Sequence, residues 1–148
     1  MKVSDLLQQK GEEVVAIGPD ASIGDALRLM NERRIGALMV LDADSAIAGI
    51  LSERDILQSV CSNAGEACRQ SVKRAMTPKD QLVIGTVEDD VNYLMNVMTD
   101  KRVRHVPILC DGALAGILSI GDVVKSQLDA TNHENKKLLD YIEGHYPA

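Results

Sequence analysis

Two of the three large aromatic residue types are missing from this sequence: it has no Phe and no Trp, and three tyrosines are its only aromatic side chains. Sites that bind single-stranded nucleic acid without sequence preference stack the bases on aromatic rings. This sequence has almost no aromatic residues with which to build such a site. Any bound base must lie between aliphatic side chains, and the core must be built from Val, Ile, Leu, Ala and Met.

An excess of positive charge is missing as well. The 16 Lys and Arg residues are outnumbered by 22 Asp and Glu residues, which gives a net charge of -6 and a pI near 5.0. Phosphate backbones are held mainly by clustered Lys and Arg side chains. The charge balance therefore argues against a nucleic-acid partner.

Long apolar runs are also absent. No run approaches the roughly 20 residues that a membrane-spanning helix needs, and the N-terminus lacks the apolar stretch of a signal peptide. Cys61, Cys68 and Cys110 are odd in number and lack the spacing of paired metal ligands. We expect a cytoplasmic protein with no membrane partner, in which the cysteines are small buried hydrophobic residues and not zinc or redox groups.

A repeat is the most informative feature that is present. The segment 34–40 aligns with 102–108, and 49–56 aligns with 116–123, with one residue lost between the two blocks. The loss falls within the equivalent turn-forming stretches 42–45 and 110–112, where a hairpin loop tolerates a change of length. With 148 residues, of which 45% are hydrophobic, the chain suits one compact domain or two small units sharing a core.

Each half shows the element order β-α-β-β-α. The pattern predicts a first strand ended by a glycine, a helix capped by Ser22 or Asp90, a hairpin, and a second helix starting at Ser52 or Ser119. The predicted strands are 14–17, 37–40 and 46–51 in the first half, and 82–84, 106–109 and 114–118 in the second. The fold class predicted is therefore α+β, with two packed units.

The remaining segments divide the chain. We predict a first unit over 1–62, a linker over 63–70, a second unit over 71–129 and a helical tail over 130–148. A short helix over 71–78 is expected to lead into the second unit. A polar amphipathic helix over 133–143, with Gly144 as its C-terminal stop, belongs to neither repeat.

Three motifs carry a family resemblance. These are the repeated Gly-Ile-Leu-Ser-x-x-Asp at 49–55 and 116–122, the run Arg-His-Val-Pro-Ile at 104–108, and Met-Thr-Pro at 76–78. Together they resemble the tandem cystathionine-β-synthase (CBS) domain pair, or Bateman module, over about residues 2 to 128. The resemblance implies two units related by a pseudo-twofold axis, with two nucleotide clefts between them. Members bind AMP, ADP, ATP, NAD(H) or S-adenosylmethionine, many form disc-shaped homodimers, and this chain looks like the stand-alone bacterial kind.

The repeated Ser-x-x-Asp has two interpretations. It is the spacing of a capping box, and Ser22 to Asp25 shows the same spacing where only a cap is expected. The two repeated copies, however, follow the last strand of each unit, where helix N-termini favour anions. The resemblance assigns ribose binding to the aspartate, which carries over to Asp55 and Asp122, with Ser52 and Ser119 donating to ribose or phosphate oxygens.

Basic residues are distributed unequally between the repeats. The second unit has Arg102, Arg104 and His105 where the first has Arg34, Gly36 and Ala37. Since an arginine forks two hydrogen bonds onto a phosphate, we expect unequal clefts, with Arg104 and His105 anchoring phosphate in one cleft or reaching across to both. A solvated arginine and a structural imidazole remain the alternatives.

Arg54, in the first turn of its helix, is a further phosphate candidate, the alternative being an exposed arginine paired with Glu53. For adenine the candidates are aliphatic: Val15, Ile17, Val83 and Ile84. These four residues would be core in any fold of this type.

The pattern favours a regulatory sensor that binds an adenosine nucleotide and transmits metabolic state to a regulated partner. The alternative is a ligand-independent dimerisation platform. An enzyme using His105 with Cys110 or a carboxylate lacks a converging nucleophile, base and orienting group, so no catalytic residue, metal or cofactor is predicted. If His105 contacts phosphate, binding should tighten as the pH falls from about 8 to 6.

Overall fold

A computed structural model of the chain describes residues 1–11 and 13–143, so the predicted stop at Gly144 lies outside the described residues. The described residues form α-helices and β-strands in the predicted α+β arrangement. The helices are α1 (Val3–Lys10), α2 (Ile23–Arg33), α3 (Glu53–Ser62), α4 (Val72–Ala75), α5 (Val91–Lys101) and α6 (Ile120–Glu143). The strands are β1 (Ala16–Ile17), β2 (Ala37–Leu41), β3 (Ile47–Ser52), β4 (Thr77–Pro78), β5 (Gly85–Thr86), β6 (His105–Cys110) and β7 (Ala113–Ser119).

The strands form two sheets with the same internal plan. In the first sheet the order is β1-β2-β3-β4, and in the second it is β5-β6-β7. In each sheet a short strand pairs in parallel with the next, which forms an antiparallel hairpin with its successor. The repetition of this plan confirms the two β-α-β-β-α units related by a pseudo-twofold axis.

Three apolar clusters hold the units together. One lies under the helices of each unit, and a third joins Met39 and Ile50 of the first sheet to Leu114 and Ile117 of the second. The third cluster shows that the sheets face each other. The cavity described below lies at the edge of this contact.

The first helix of each half packs on the other half. Val3 and Leu7 of α1 are buried in the core of the second unit, and Val72 of α4 is buried in the core of the first. The backbone repeats this exchange, since the amide of Val3 donates to Asp89 and the amide of Val72 donates to Ala21. The cores are therefore divided differently from the linear units 1–62 and 71–129.

The predicted helix starts are confirmed by their caps. Ser22 accepts from the amide of Asp25 at 3.1 Å, and Asp90 accepts from the amide of Asn92 at 2.8 Å. Both helices end in a left-handed residue, Arg102 in the second unit at φ 55°, which turns the chain toward the following strand. This turn places the basic run 102–105 at the start of β6.

Two predicted elements are wrong. The strand expected at 82–84 lies instead at Gly85–Thr86. Glycine typically ends a strand, but Gly85 itself pairs with Ile108, and a Cβ on Gly85 would come within 2.9 Å of Ile108 Cδ1, so the two strands pack closely here. The helix expected over 71–78 ends at Ala75, because Pro78 and the residue before it favour extended backbone, and Thr77–Pro78 pair with β3.

Two further expectations need correction. The predicted C-terminal helix is confirmed, but it is not separate from the last helix of the second unit, since α6 runs without interruption from Ile120 to Glu143. Cys61, Cys68 and Cys110 are exposed and not buried, because they lie at the end of a helix, in a short 3₁₀ turn and beside a hairpin turn. Within the described ranges, no helix is both long enough and apolar enough to cross a membrane.

Candidate functional site

A cleft of about 620 Å³ lies between the two units. Its lining combines the first Ser-x-x-Asp motif with β4, the segment after it, and the basic run of the second unit. The lining residues are Gly36, Ile50, Ser52, Glu53, Arg54, Asp55, Leu57, Thr77, Gln81, Leu82, Val83, Arg102, Val103, Arg104 and His105. Of the predicted residues, it brings together Ser52, Asp55, Arg54, Arg102, Arg104, His105 and Val83.

Asp55 is fixed at this cleft by donors from two elements. Its Oδ2 accepts from the amide and the hydroxyl of Ser52, both at 2.9 Å, and its Oδ1 accepts from Thr77 Oγ1 at 3.1 Å. Ser52 also caps α3 by accepting from the amide of Asp55. Capping and orientation of the carboxylate thus coexist. A carboxylate has about four acceptor positions, so Asp55 can still accept from a further hydroxyl group.

Positive charge faces this carboxylate from the other unit. Arg102, Arg104 and His105 line the cleft from the C-terminus of α5 and the start of β6, and Arg54 lines it from α3. Over residues 1–11 and 13–143, none of the three arginines forms an ion pair. Their guanidinium groups are therefore available to an anionic ligand.

His105 lies between the two Ser-x-x-Asp motifs. It pairs with Ser119 across the β6–β7 ladder, while its Nε2 comes within 3.8 Å of the position a Cβ on Gly36 would occupy. Burial lowers the pKa of His105 below 6.5, and the charge of Lys10 lowers that pKa further, while Asp122 and Glu53 oppose the shift. The net effect favours the neutral imidazole over its charged form.

The second Ser-x-x-Asp motif has a different partner. Asp122 Oδ2 accepts from the amide of Ser119 at 2.8 Å, as in the first motif, and also from Lys10 Nζ at 2.7 Å. The same ammonium donates to the carbonyl of Ile117 at 2.5 Å. Burial raises the pKa of Asp122, but the bonds from Lys10 and Ser119 outweigh burial and hold that pKa below its ordinary value of 3.8.

The aliphatic candidates are scattered. Val83 lines the cleft, whereas Val15 and Ile17 pack against the core of the first unit and Ile84 is exposed. Ile50, Leu82 and Val103 line the cleft instead.

Sequence reasoning missed Thr77 and Lys10. The signal is found by extending the repeat backwards with its offset increased by one residue, since Val3 then aligns with Val72 and both chain segments after them become candidates to contact the motifs. No group of three or more His, Cys, Asp or Glu side chains that could hold a metal ion occurs in the part of the chain that is described.

The sequence profile of the CBS domain matches residues 3–62 and 72–129, so the chain belongs to the CBS domain family. It is 33% identical over 150 residues to the mitochondrial CBS domain-containing protein CBSX3 of Arabidopsis thaliana, covering 97% of this chain and 73% of that protein.

Solved structures agree with this assignment. A CBS-domain-containing protein of Agrobacterium tumefaciens is 44% identical with a TM-score of 0.81, covering 85% of this chain and 92% of that one. A CBS domain protein of Pyrobaculum aerophilum, solved in complex with AMP, has a TM-score of 0.72 at 23% identity, covering 82% and 89% of the two chains. At that identity the second likeness shows the fold alone.

Proposed function

We propose that this chain is a regulatory module that binds an adenosine nucleotide, AMP, ADP or ATP, in the 620 Å³ cleft between its units. The observation that carries the proposal is the meeting, in one cleft, of an oriented carboxylate from one unit with unpaired guanidinium groups from the other. The first group suits a ribose diol and the second suits a phosphate. The AMP bound to the Pyrobaculum aerophilum protein supports the same ligand class.

In this arrangement the ribose and the phosphate contact different units. Asp55 accepts from a ribose hydroxyl, and Ser52 and Thr77 hold that carboxylate in place. Arg102 and Arg104 contact the phosphate, and the base lies among the aliphatic residues that line the cleft. A ligand that spans both units can bias their relative position, by no more than its difference in affinity for the two positions. Such a shift is the signal that a regulated partner protein would receive.

The test is isothermal titration calorimetry with AMP, ADP and ATP on the wild type and on Asp55→Ala. We expect uptake by the wild type and its loss in the variant. Asp25→Ala is the matched control, because Asp25 stands in the third Ser-x-x-Asp and forms an exposed ion pair with Arg28. Equal affinity in Asp55→Ala, with the fold intact by circular dichroism, would overturn the proposal.

The proposed role is binding and not catalysis. Incubating the protein with ATP should leave the nucleotide unhydrolysed over hours. ATP turnover that His105→Ala abolishes would contradict this part of the proposal. Free exposed thiols in the described residues support a cytoplasmic location, where thiols stay reduced.

We also propose that two copies form a homodimer. Leu57 and Val60 of α3, and Val124 and Leu128 of α6, are exposed apolar side chains, and Leu57 and Val124 occupy equivalent positions of the repeat. A surface that already repeats about a pseudo-twofold axis suits a self-complementary interface with a second copy.

Sedimentation velocity tests the dimer. Val124→Glu with Leu128→Glu should convert it to monomer, whereas Lys125→Glu, an exposed position on the same helix, should leave it intact. A wild type that sediments as a monomer at all concentrations would exclude the homodimer.

A further inference from the structure

We propose that Lys10 occupies the ribose position of the second cleft and keeps that cleft closed, so that the chain binds one nucleotide and not two. The inference rests on the proposed function, and it concerns the stoichiometry and regulation of the same pair of sites. It assigns a role to a residue outside both repeated motifs.

Lys10 donates hydrogen bonds to the acceptor atoms that a second ribose would need. Its Nζ lies 2.7 Å from Asp122 Oδ2 and 2.5 Å from the carbonyl oxygen of Ile117. A ribose hydroxyl is a neutral donor, so only the carboxylate is charged in its hydrogen bond, whereas the Lys10 ammonium adds the attraction between two opposite charges. The ammonium therefore outcompetes a ribose hydroxyl for this carboxylate.

The corresponding position in the first cleft is open to a ligand. There Thr77 pairs with Ile50 across the β3–β4 ladder and donates only a neutral hydroxyl to Asp55. Ile117 is the counterpart of Ile50, and the carbonyl of Ile117 is met by the Lys10 ammonium. The first carboxylate is thus oriented without being neutralised, whereas the second is both oriented and neutralised.

Lys10 is held in place by the packing of α1. Val3, Leu6 and Leu7 are buried in the core of the second unit, and Leu7 packs so closely over Gly116 that a Cβ there would come within 2.8 Å of its Cδ2. The amide of Gly11 donates to the carbonyl of Leu7 and ends the helix directly after Lys10. The side chains of Lys10 and Asp122 are only 31% and 25% exposed, so salt screens this pair less than a surface pair.

The closed cleft also acts on the open one through His105. This imidazole lines the first cleft, and the charge of Lys10 is one of the causes that lower the pKa of His105. The other charged groups that act on it are Asp122, Glu53 and Arg104. Removal of the Lys10 charge should therefore raise the pKa of His105, which nuclear magnetic resonance can measure without any nucleotide.

The experiment is calorimetric stoichiometry with AMP on the wild type, Lys10→Met and Lys10→Ala. Methionine keeps most of the aliphatic stem and removes the charge, and alanine removes both. We expect one AMP per chain in the wild type and two in the variants. Lys2→Ala is the matched control, because Lys2 precedes the same helix but pairs with exposed Glu88, and it should bind one.

The outcomes separate the two proposals. Two AMP molecules per wild-type chain, or one per chain in a folded Lys10→Ala, would overturn the role of Lys10 and leave the first cleft as the proposed site. No uptake of AMP, ADP or ATP by any of the proteins would overturn the proposed function, and this inference with it. A His105 pKa that is unchanged in Lys10→Met would remove the link between the clefts.

Discussion

The two Ser-x-x-Asp junctions have the same backbone and different chemistry. In both, the serine amide donates to the aspartate, and the two motifs are related by the pseudo-twofold axis of the fold. Asp55 also accepts a hydrogen bond from the hydroxyl of Thr77 and faces arginines that form no ion pair within the described residues. Asp122 instead accepts from the ammonium of Lys10. A duplicated motif is therefore not the same as a duplicated site.

The difference begins in the segments that precede each unit. α4 ends at Ala75 because Pro78 cannot continue a helix and biases Thr77 to extended backbone, so the chain becomes β4. No proline occurs between Val3 and Lys10, and α1 continues to Lys10. The segment before the second unit consequently places the hydroxyl of Thr77, in a strand, beside Asp55. The segment before the first unit places the side chain of Lys10, the last residue of a helix, beside Asp122.

The largest effect is expected from separate removal of the two carboxylates. Asp55→Ala should weaken AMP binding by about a hundredfold or more, because hydrogen bonds to a charged group contribute about 1.5–3 kcal/mol each. Asp122→Ala should not weaken binding to the first cleft, since its carboxylate is already paired. Equal losses in the two variants, measured by calorimetry, would abolish the distinction between the clefts.

A smaller loss is expected from the cationic side of the same cleft. Arg104→Ala should weaken AMP binding by roughly ten- to a hundredfold, the value of one charge-assisted contact. Arg34→Ala is the matched control, because Arg34 is the repeat counterpart of Arg102 and does not line this cleft. Similar affinities of the two variants for AMP would show that the guanidinium of Arg104 does not reach the phosphate.

Thr77→Val should have a still smaller effect. It removes one of the three hydrogen bonds that orient the Asp55 carboxylate and none that reaches the ligand, so we expect a loss of about 1 kcal/mol, equivalent to roughly fivefold in affinity. Valine keeps the branched shape that suits β4. Ser22→Ala, which removes a helix cap away from the cleft, should lower the melting temperature without changing the dissociation constant. A Thr77→Val protein with wild-type affinity would show that Asp55 is oriented by Ser52 alone.

The smallest effect concerns pH. Because burial and Lys10 lower the pKa of His105, the imidazole gains its charge at lower pH than an ordinary imidazole does, and the expected window of 8 to 6 moves to lower pH. AMP titrates near pH 6 itself, so the ratio of wild-type to His105→Gln affinity is the measure. That ratio should rise by about twofold as the pH falls from about 7 to 5.5, as the fraction of charged imidazole increases. A constant ratio would mean that His105 does not contact the phosphate.

The sequence was sufficient for the frame of the molecule and for the unequal basic residues of its two halves, and it was insufficient for the contact between Lys10 and Asp122. Alternating apolar runs and the caps at Ser22 and Asp90 predicted the order of the elements, because these signals are local. The pairing of Lys10 with Asp122 joins residues far apart in the chain. It depends on the packing of α1 against the second unit, which no local sequence pattern predicts. The strand at Gly85 was missed because its pairing depends on close tertiary packing, which overrides the local tendency of glycine to end strands.

The helix α6 carries Asp122 in its first turn and extends 24 residues to Glu143. At a rise of about 1.5 Å per residue it is a rod of about 36 Å, and tilting it by about 10° at its base would swing its tip by about 6 Å. Asp122, which accepts a hydrogen bond from Lys10, thus lies at the base of this rod. A small displacement of Asp122 would therefore produce a larger displacement of the C-terminal end of α6.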